Sequence, residues 1–242
     1  MHYKIPQLEG NGTLTQENAV SVYSHYLNSD RVDYDGIKRK PTKVSILHAM
    51  LRNHSPNKNN LIQRHLDAGK KVYFWSDQHF GHSNIIKYAN RPFEDKGHMD
   101  RIMIENYFNT IKNDDLVVWV GDVAFSGVTE CRQMLGNLPG AKVLIMGNHD
   151  FDKKYNFKDF GIFQEVYMAT VFNMAIEEKV CNLIVSHYPI QNELLPENTL
   201  NIHGHIHDKT ADIKNINVSV EKTEYRPIDI TNIITEKFML VS

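Results

Sequence analysis

The sequence predicts an α/β protein in which two packed β-sheets are flanked by helices, preceded by an N-terminal helical extension. Three observations lead there. From Lys71 to about residue 150, short apolar runs alternate with helical stretches, the pattern of βαβ units around a largely parallel sheet. After about residue 160 the chain turns strand-rich, and two sheets stacked face to face are the simplest cover for so many strands. Before residue 70, apolar residues recur at helical spacing.

The extension, residues 1–70, opens with Thr13 and Gln16 at capping-box spacing, followed by Ala19, Val22, Tyr23 and Tyr26. After a break at Pro41 the period returns with Val44, Leu47, His48 and Leu51. "HSPNKNN" interrupts it again before Leu61, Ile62, His65 and Leu66. Residues 71–242 make the second unit. It reads as strand "VYFWS", helices "SNIIKYAN" and "HMDRIMIENYFNTIK", strand "LVVWV", helix "TECRQMLGNL" and strand "KVLIM". The strand-rich half follows with "FQEVYMA", "VFNMAI", "NLIVSH", "LNIHGHIH", "INVSV" and "PIDI".

Composition excludes several classes. With 41% hydrophobic and 23% charged residues, the chain has the make-up of an ordinary globule. It contains no apolar run near the roughly 18 to 20 residues of a membrane helix, and its opening "MHYKIPQLEG" lacks a signal-peptide pattern. A cytoplasmic protein with no membrane partner is expected. The two cysteines, Cys131 and Cys181, form no C-x-x-C, so any metal must be held by nitrogen and oxygen. The net charge of -2 conceals an asymmetry: residues 31 to 71 carry ten Lys/Arg against three Asp. That stretch is either a solvated helical face or a patch for a polyanion such as nucleic acid.

The residues that follow each apolar run carry the chemistry. "VYFWS" ends in Asp77-Gln78-His79, "LVVWV" in Gly121-Asp122, and "KVLIM" in Gly147-Asn148-His149-Asp150. "NLIVS" ends in His187, and "LNI" leads into His203-Gly204-His205-Ile206-His207. Ligands bind at the carboxyl ends of strands in α/β sheets, so these residues are expected to converge. His205 and His207, two apart on an extended chain, would share a face, as would Asp77 and His79. Imidazole and carboxylate without thiolate suit Zn, Fe, Mn or Ni. Seven candidate donors (Asp77, His79, Asp122, Asn148, His187, His205, His207) exceed the needs of one ion with an open position, which points to two metals sharing one bridging carboxylate.

The ordered series D-x-H, G-D, G-N-H-D, a lone His after a strand and G-H-x-H resembles the calcineurin-like metallophosphoesterases, over about residues 72 to 210. The stretch "SDQHFGHSNIIKYANRPF" is most similar to small phosphoesterases of bacteria and their phages. Residues 1–70 carry no part of the resemblance. It implies an αββα sandwich and two divalent ions, with manganese expected and iron, zinc or nickel as alternatives. One ion would take Asp77, His79, Asp122 and His207, and the other Asp122, Asn148, His187 and His205. A metal-bridging hydroxide would attack phosphorus. His149 would assist the leaving oxygen, with Asp150 accepting a hydrogen bond from its ring, unless the pair only shapes the loop.

Other roles stay open at this level. His82 either contacts the substrate phosphate or leaving group, or is satisfied by local backbone at a helix start. Arg91 either binds a phosphate or braces its loop, Tyr188 shapes the substrate pocket, and His203 either lines it or sits behind it. Tyr73, Trp75 and Phe80 could stack a base or belong to the core. The protein phosphatases of the superfamily typically carry an Arg after G-D and a Glu in G-N-H-E, where this chain reads "GDVAFSG" and "GNHD". A protein substrate is therefore disfavoured. With no evident Arg clamp for a dianion, the expected substrate is a phosphodiester, namely a small nucleotide such as a cyclic nucleotide or cyclic oligonucleotide. A nuclease using the basic stretch is the alternative, and a non-catalytic scaffold a remote one.

Overall fold

A computed structural model describes residues 60–125, 128–150 and 161–241. The helices expected before residue 60 and most of the basic stretch lie outside the described residues. Helix α1 (Leu61–Asp67) starts at Asn60, whose side chain accepts a hydrogen bond from the Gln63 amide at 2.8 Å. It docks on the body: Ile62 is fully buried, and Asn60 Nδ2 donates to the Val171 carbonyl at 2.8 Å.

The first sheet contains β1 (Val72–Trp75), β2 (Leu116–Trp119), β3 (Ala141–Ile145) and β4 (Glu165–Tyr167), parallel throughout and in that order. Its first two strands are buried at every residue, which explains why they read as unbroken apolar runs rather than alternating ones. Alternation still decides the facing. Tyr73, Trp75, Val117 and Trp119 join a cluster with Met99, Met103 and Tyr107 of helix α3 (Lys96–Thr110). Val72, Phe74, Leu116 and Val118 join the other cluster, which reaches the second sheet. There Phe74 stacks on Phe172 with ring centroids 6.0 Å apart. The short helix α2 (Ile85–Tyr88) and α4 (Val128–Leu135) complete the crossovers.

Met168 alone separates β4 from β5 (Ala169–Ile176), where the chain passes to the second sheet. That sheet is mixed: β5 pairs antiparallel with β6 (Lys179–Ser186), and β6, β7 (Thr199–His203) and β8 (Asn215–Asn217) run parallel. Helix α5 (Thr231–Val241), which the pattern reading does not include, adds Ile234 and Phe238 to the shared core. The expected "PIDI" strand reduces to an isolated bridge between Ile228 and Phe74. Among the described residues no helix is long and apolar enough to cross a membrane.

Candidate metal centre

The five motifs sit where the strands end, but they are not extended. Strand β1 stops at Trp75, and Asp77 and His79 take φ of 59° and 54°. Strand β7 stops at His203, and His205 and His207 take φ of 69° and 52°. Strand alternation therefore does not set these directions: Asp77 and His79 still gather at one group of donors, while His205 and His207 part to different ones. Left-handed turns aim these side chains, each at a cost of about 1 kcal/mol or more that the surroundings must offset. Part of the offset is visible: the amides of Asp77 and His79 donate to the carbonyls of Gly121 and Asp122, both at 3.0 Å. Gly204 allows the close approach of two of these loops, since a Cβ there would run into Ser76 Oγ and the Asp77 carboxylate.

Two sets of donors result. Asp77, His79 and His207 place one ligand atom each within 4.8 Å of one another, and Asp122, His187 and His205 do the same. Asp122 joins the sets, its Oδ2 lying 3.7 Å from His79 Nε2, 3.5 Å from His187 Nε2 and 3.9 Å from His149 Nε2. Asn148 Oδ1 sits 3.1 Å from His187 Nε2. Asp77 Oδ1 and both ring nitrogens of His79 are buried without a hydrogen-bond partner. Buried polar atoms rarely go unsatisfied, and nitrogen and oxygen donors of this kind fit hard or borderline divalent cations.

The electrostatics follow from burial and proximity. Burial pushes His79 and His205 well below the usual histidine range, which keeps their lone pairs free. Burial pulls His187 down as well, but the Asp122 carboxylate outweighs it and raises the group, while its Nδ1 contacts the Val120 carbonyl at 2.7 Å. Burial acts to raise Asp122, yet His187, His149 and His79 together hold it well below the usual carboxylate range. Protons and cations compete for these nitrogens, so acid weakens ion binding.

Several sequence-level roles change. Asp150 does not orient His149. Its oxygens accept from the backbone amides of Asp122 at 2.8 Å, Val123 at 3.0 Å and Gly147 at 2.7 Å, and among the described residues no hydrogen bond joins it to the His149 ring. It is a loop-holding carboxylate, pushed up to about 7 by burial and the nearby Asp122 charge. Arg91 is no substrate clamp. Its side chain is fully buried, donating to the carbonyls of Gln78 at 2.8 Å and Asp77 at 2.6 Å and pairing with Glu221 at 2.7 Å. Tyr73, Trp75 and Phe80 are core residues and cannot stack a ligand.

His149, with its side chain 45% exposed, lies on the solvent side of Asp122. The His82 ring stacks on Phe125 at 4.0 Å and lies 5.5 Å from His79, its Nδ1 buried and unpartnered. Tyr188 is buried against the His205 ring at 4.5 Å. His203 is fully buried, with Nδ1 on the Gly204 carbonyl at 2.8 Å, and belongs to neither donor set. Sequence reasoning missed Glu221, whose Oε1 contacts His207 Nδ1 at 2.9 Å, and Ser219, whose hydroxyl donates to Asp77 Oδ2 at 3.0 Å. Both lie in "INVSVEK", where no local pattern marks them.

Comparison with known proteins agrees with this geometry. Residues 70–239 match the family model for calcineurin-like phosphoesterases. An uncharacterized protein of Methanocaldococcus jannaschii is 33% identical over 176 residues, which cover 68% of this chain and 90% of that protein. The gene 66 protein of Mycobacterium phage D29 is 26% identical, over 57% of this chain and 79% of its own length. The crystal structure of a protein of unknown function from Aquifex aeolicus superposes with a TM-score of 0.52 at 31% identity, covering 68% of this chain and 97% of the other.

Proposed function

Since the chain belongs to the calcineurin-like phosphoesterase family, and so to the metal-dependent hydrolases of phosphoric esters, we propose that it is a phosphodiesterase acting on a small nucleotide with two divalent ions, manganese first among them. The observation that carries the reading is Asp122 Oδ2 lying between two donor sets, 3.7 Å from His79 and 3.5 Å from His187. Asp77, His79, Asp122 and His207 would hold one ion, and Asp122, Asn148, His187 and His205 the other. When bound, the ions supply positive charge to the phosphate and make a water acidic enough to attack near neutral pH.

The chain's own groups do the rest. His149 stands on the exposed side of Asp122, held through its backbone amide, which donates to Asp122 Oδ1 at 2.9 Å. Its ring donates a proton to the departing oxygen. His82, stacked on Phe125, lines the same rim and faces the ester. With Arg91 committed to backbone carbonyls and Glu221, a singly charged diester is an easier fit than a dianionic monoester.

The test compares bis(4-nitrophenyl) phosphate with 4-nitrophenyl phosphate, using metal-stripped protein with Mn²⁺ restored. A marked diester preference is expected. A monoester preference overturns the diester reading, and absence of metal-dependent turnover overturns the catalytic one. Strong salt dependence of substrate binding would replace the small nucleotide with a nucleic-acid strand, held by the basic residues between Arg31 and Lys71.

A further inference from the structure

Arg91 and Glu221 are separated by 130 residues of sequence, and their side chains are 0% and 5% exposed. One oxygen, Glu221 Oε1, serves three contacts: Arg91 Nε at 2.9 Å, Arg91 Nη2 at 2.7 Å and His207 Nδ1 at 2.9 Å. The same guanidinium reaches the other way, to the carbonyls of Asp77 and Gln78 in the loop that carries Asp77 and His79. A single buried ion pair thus grips every segment of one donor set. In the other set, His187 Nδ1 rests on a neutral backbone carbonyl, that of Val120.

These two supports are chemically unequal. A carboxylate on Nδ1 makes Nε2 a more basic ligand than a carbonyl does, and it fixes the ring's tautomer and orientation. A planar guanidinium is charged at every working pH and presents its N–H groups in a rigid fork, so it holds two carbonyls and a carboxylate in one geometry. The Asp77–His79–His207 set is therefore assembled before an ion arrives, and less ordering remains to oppose binding.

We propose that Arg91 and Glu221 are positioning residues that preassemble the Asp77–His79–His207 set, so that the two ions bind with unequal affinity, the tighter at that set. The proposal rests on the reading that this chain holds two divalent ions, and it concerns binding rather than turnover. Neither residue touches the reacting atoms.

The test is a calorimetric titration of metal-stripped full-length protein with Mn²⁺. Wild type is expected to show two classes of site. In Glu221→Gln the tighter class should weaken about 10- to 100-fold with the weaker class unchanged. Arg91→Lys keeps the charge but loses the fork, and should shift the same class in the same direction. Far-UV circular dichroism of the metal-free variants checks folding, and if Glu221→Gln does not fold, Arg91→Lys decides on the same criterion. Equal affinities in wild type, unchanged affinities in the variants, or equal weakening of both classes overturn the proposal. Wild type that takes up no ion overturns the phosphoesterase reading instead.

Discussion

Three imidazoles, from His79, His187 and His149, approach one oxygen of Asp122, and two of them belong to different donor sets. Removing that charge should release both ions while leaving the loop intact, because an amide at this position still accepts from the His149 amide. Asp122→Asn is therefore expected to lose metal from both sets and about 10³-fold or more of turnover, with a native circular dichroism spectrum. Metal analysis and steady-state kinetics check it, and retained activity would refute a bridging role. Asp150 and Arg91 show how residue type misleads. An acid beside a histidine and an arginine beside a phosphate motif both invite catalytic roles, yet backbone amides occupy the one and carbonyls and Glu221 the other. Glu221, which pairs with Arg91, lies 130 positions away, and two of the amides that hold Asp150 lie 28 and 27 positions away, where spacing carries no signal.

Helix α3 serves the site from outside. Asp100, on its first turns, accepts from the Gly81 amide with both oxygens, at 3.2 Å and 3.0 Å, and so anchors the loop between His79 and His82. Burial pushes Asp100 up to about 6, only partly opposed by that hydrogen bond. A folded-state value above the unfolded one means that the protonated form favours the fold. Its contribution is complete below the unfolded value and is lost as pH rises through about 6. Asp100→Asn should therefore stabilise the protein at pH 8, by about 1 kcal/mol once solvent screening of this part-exposed group is allowed for, with a smaller gain at pH 5. Urea melts at the two pH values measure this, and an equal or absent gain contradicts it. Elements were legible where an unbroken apolar run marked a buried strand, as in β1 to β3. They were misread where an extended run turned left-handed, because a turn built on His and Asp leaves an apolar-polar pattern unchanged.

At the scale of the molecule, the donors come from both sheets: Asp77, His79, Asp122 and Asn148 from loops after β1, β2 and β3, and His187, His205 and His207 from loops after β6 and β7. Ions held there tie one sheet to the other. Mn²⁺ at about 100 times its Kd should add about 2.7 kcal/mol of stability, or roughly 5 to 10 °C in Tm, and chelator should remove it. A Tm indifferent to millimolar Mn²⁺ would mean that no ion links the sheets. The sequence by itself determined the class of architecture and singled out seven candidate donors, six of which the structure gathers into two groups, since buried parallel strands must be apolar throughout and the residues at their ends stand out against them. Spacing alone did not divide these donors between two sets; the family resemblance implied the division, and the structure groups Asp77 and His79 with His207, and Asp122 and His187 with His205. His205 and His207, two apart in sequence, fall in different sets, while Asp77 and His79, also two apart and also left-handed, share one, so the direction of each side chain is set by its own loop and not by its spacing. Nor could the sequence show that Glu221, Arg91 and Ser219 brace the centre: hydrogen bonds between residues more than a hundred positions apart exist only once the two sheets have packed.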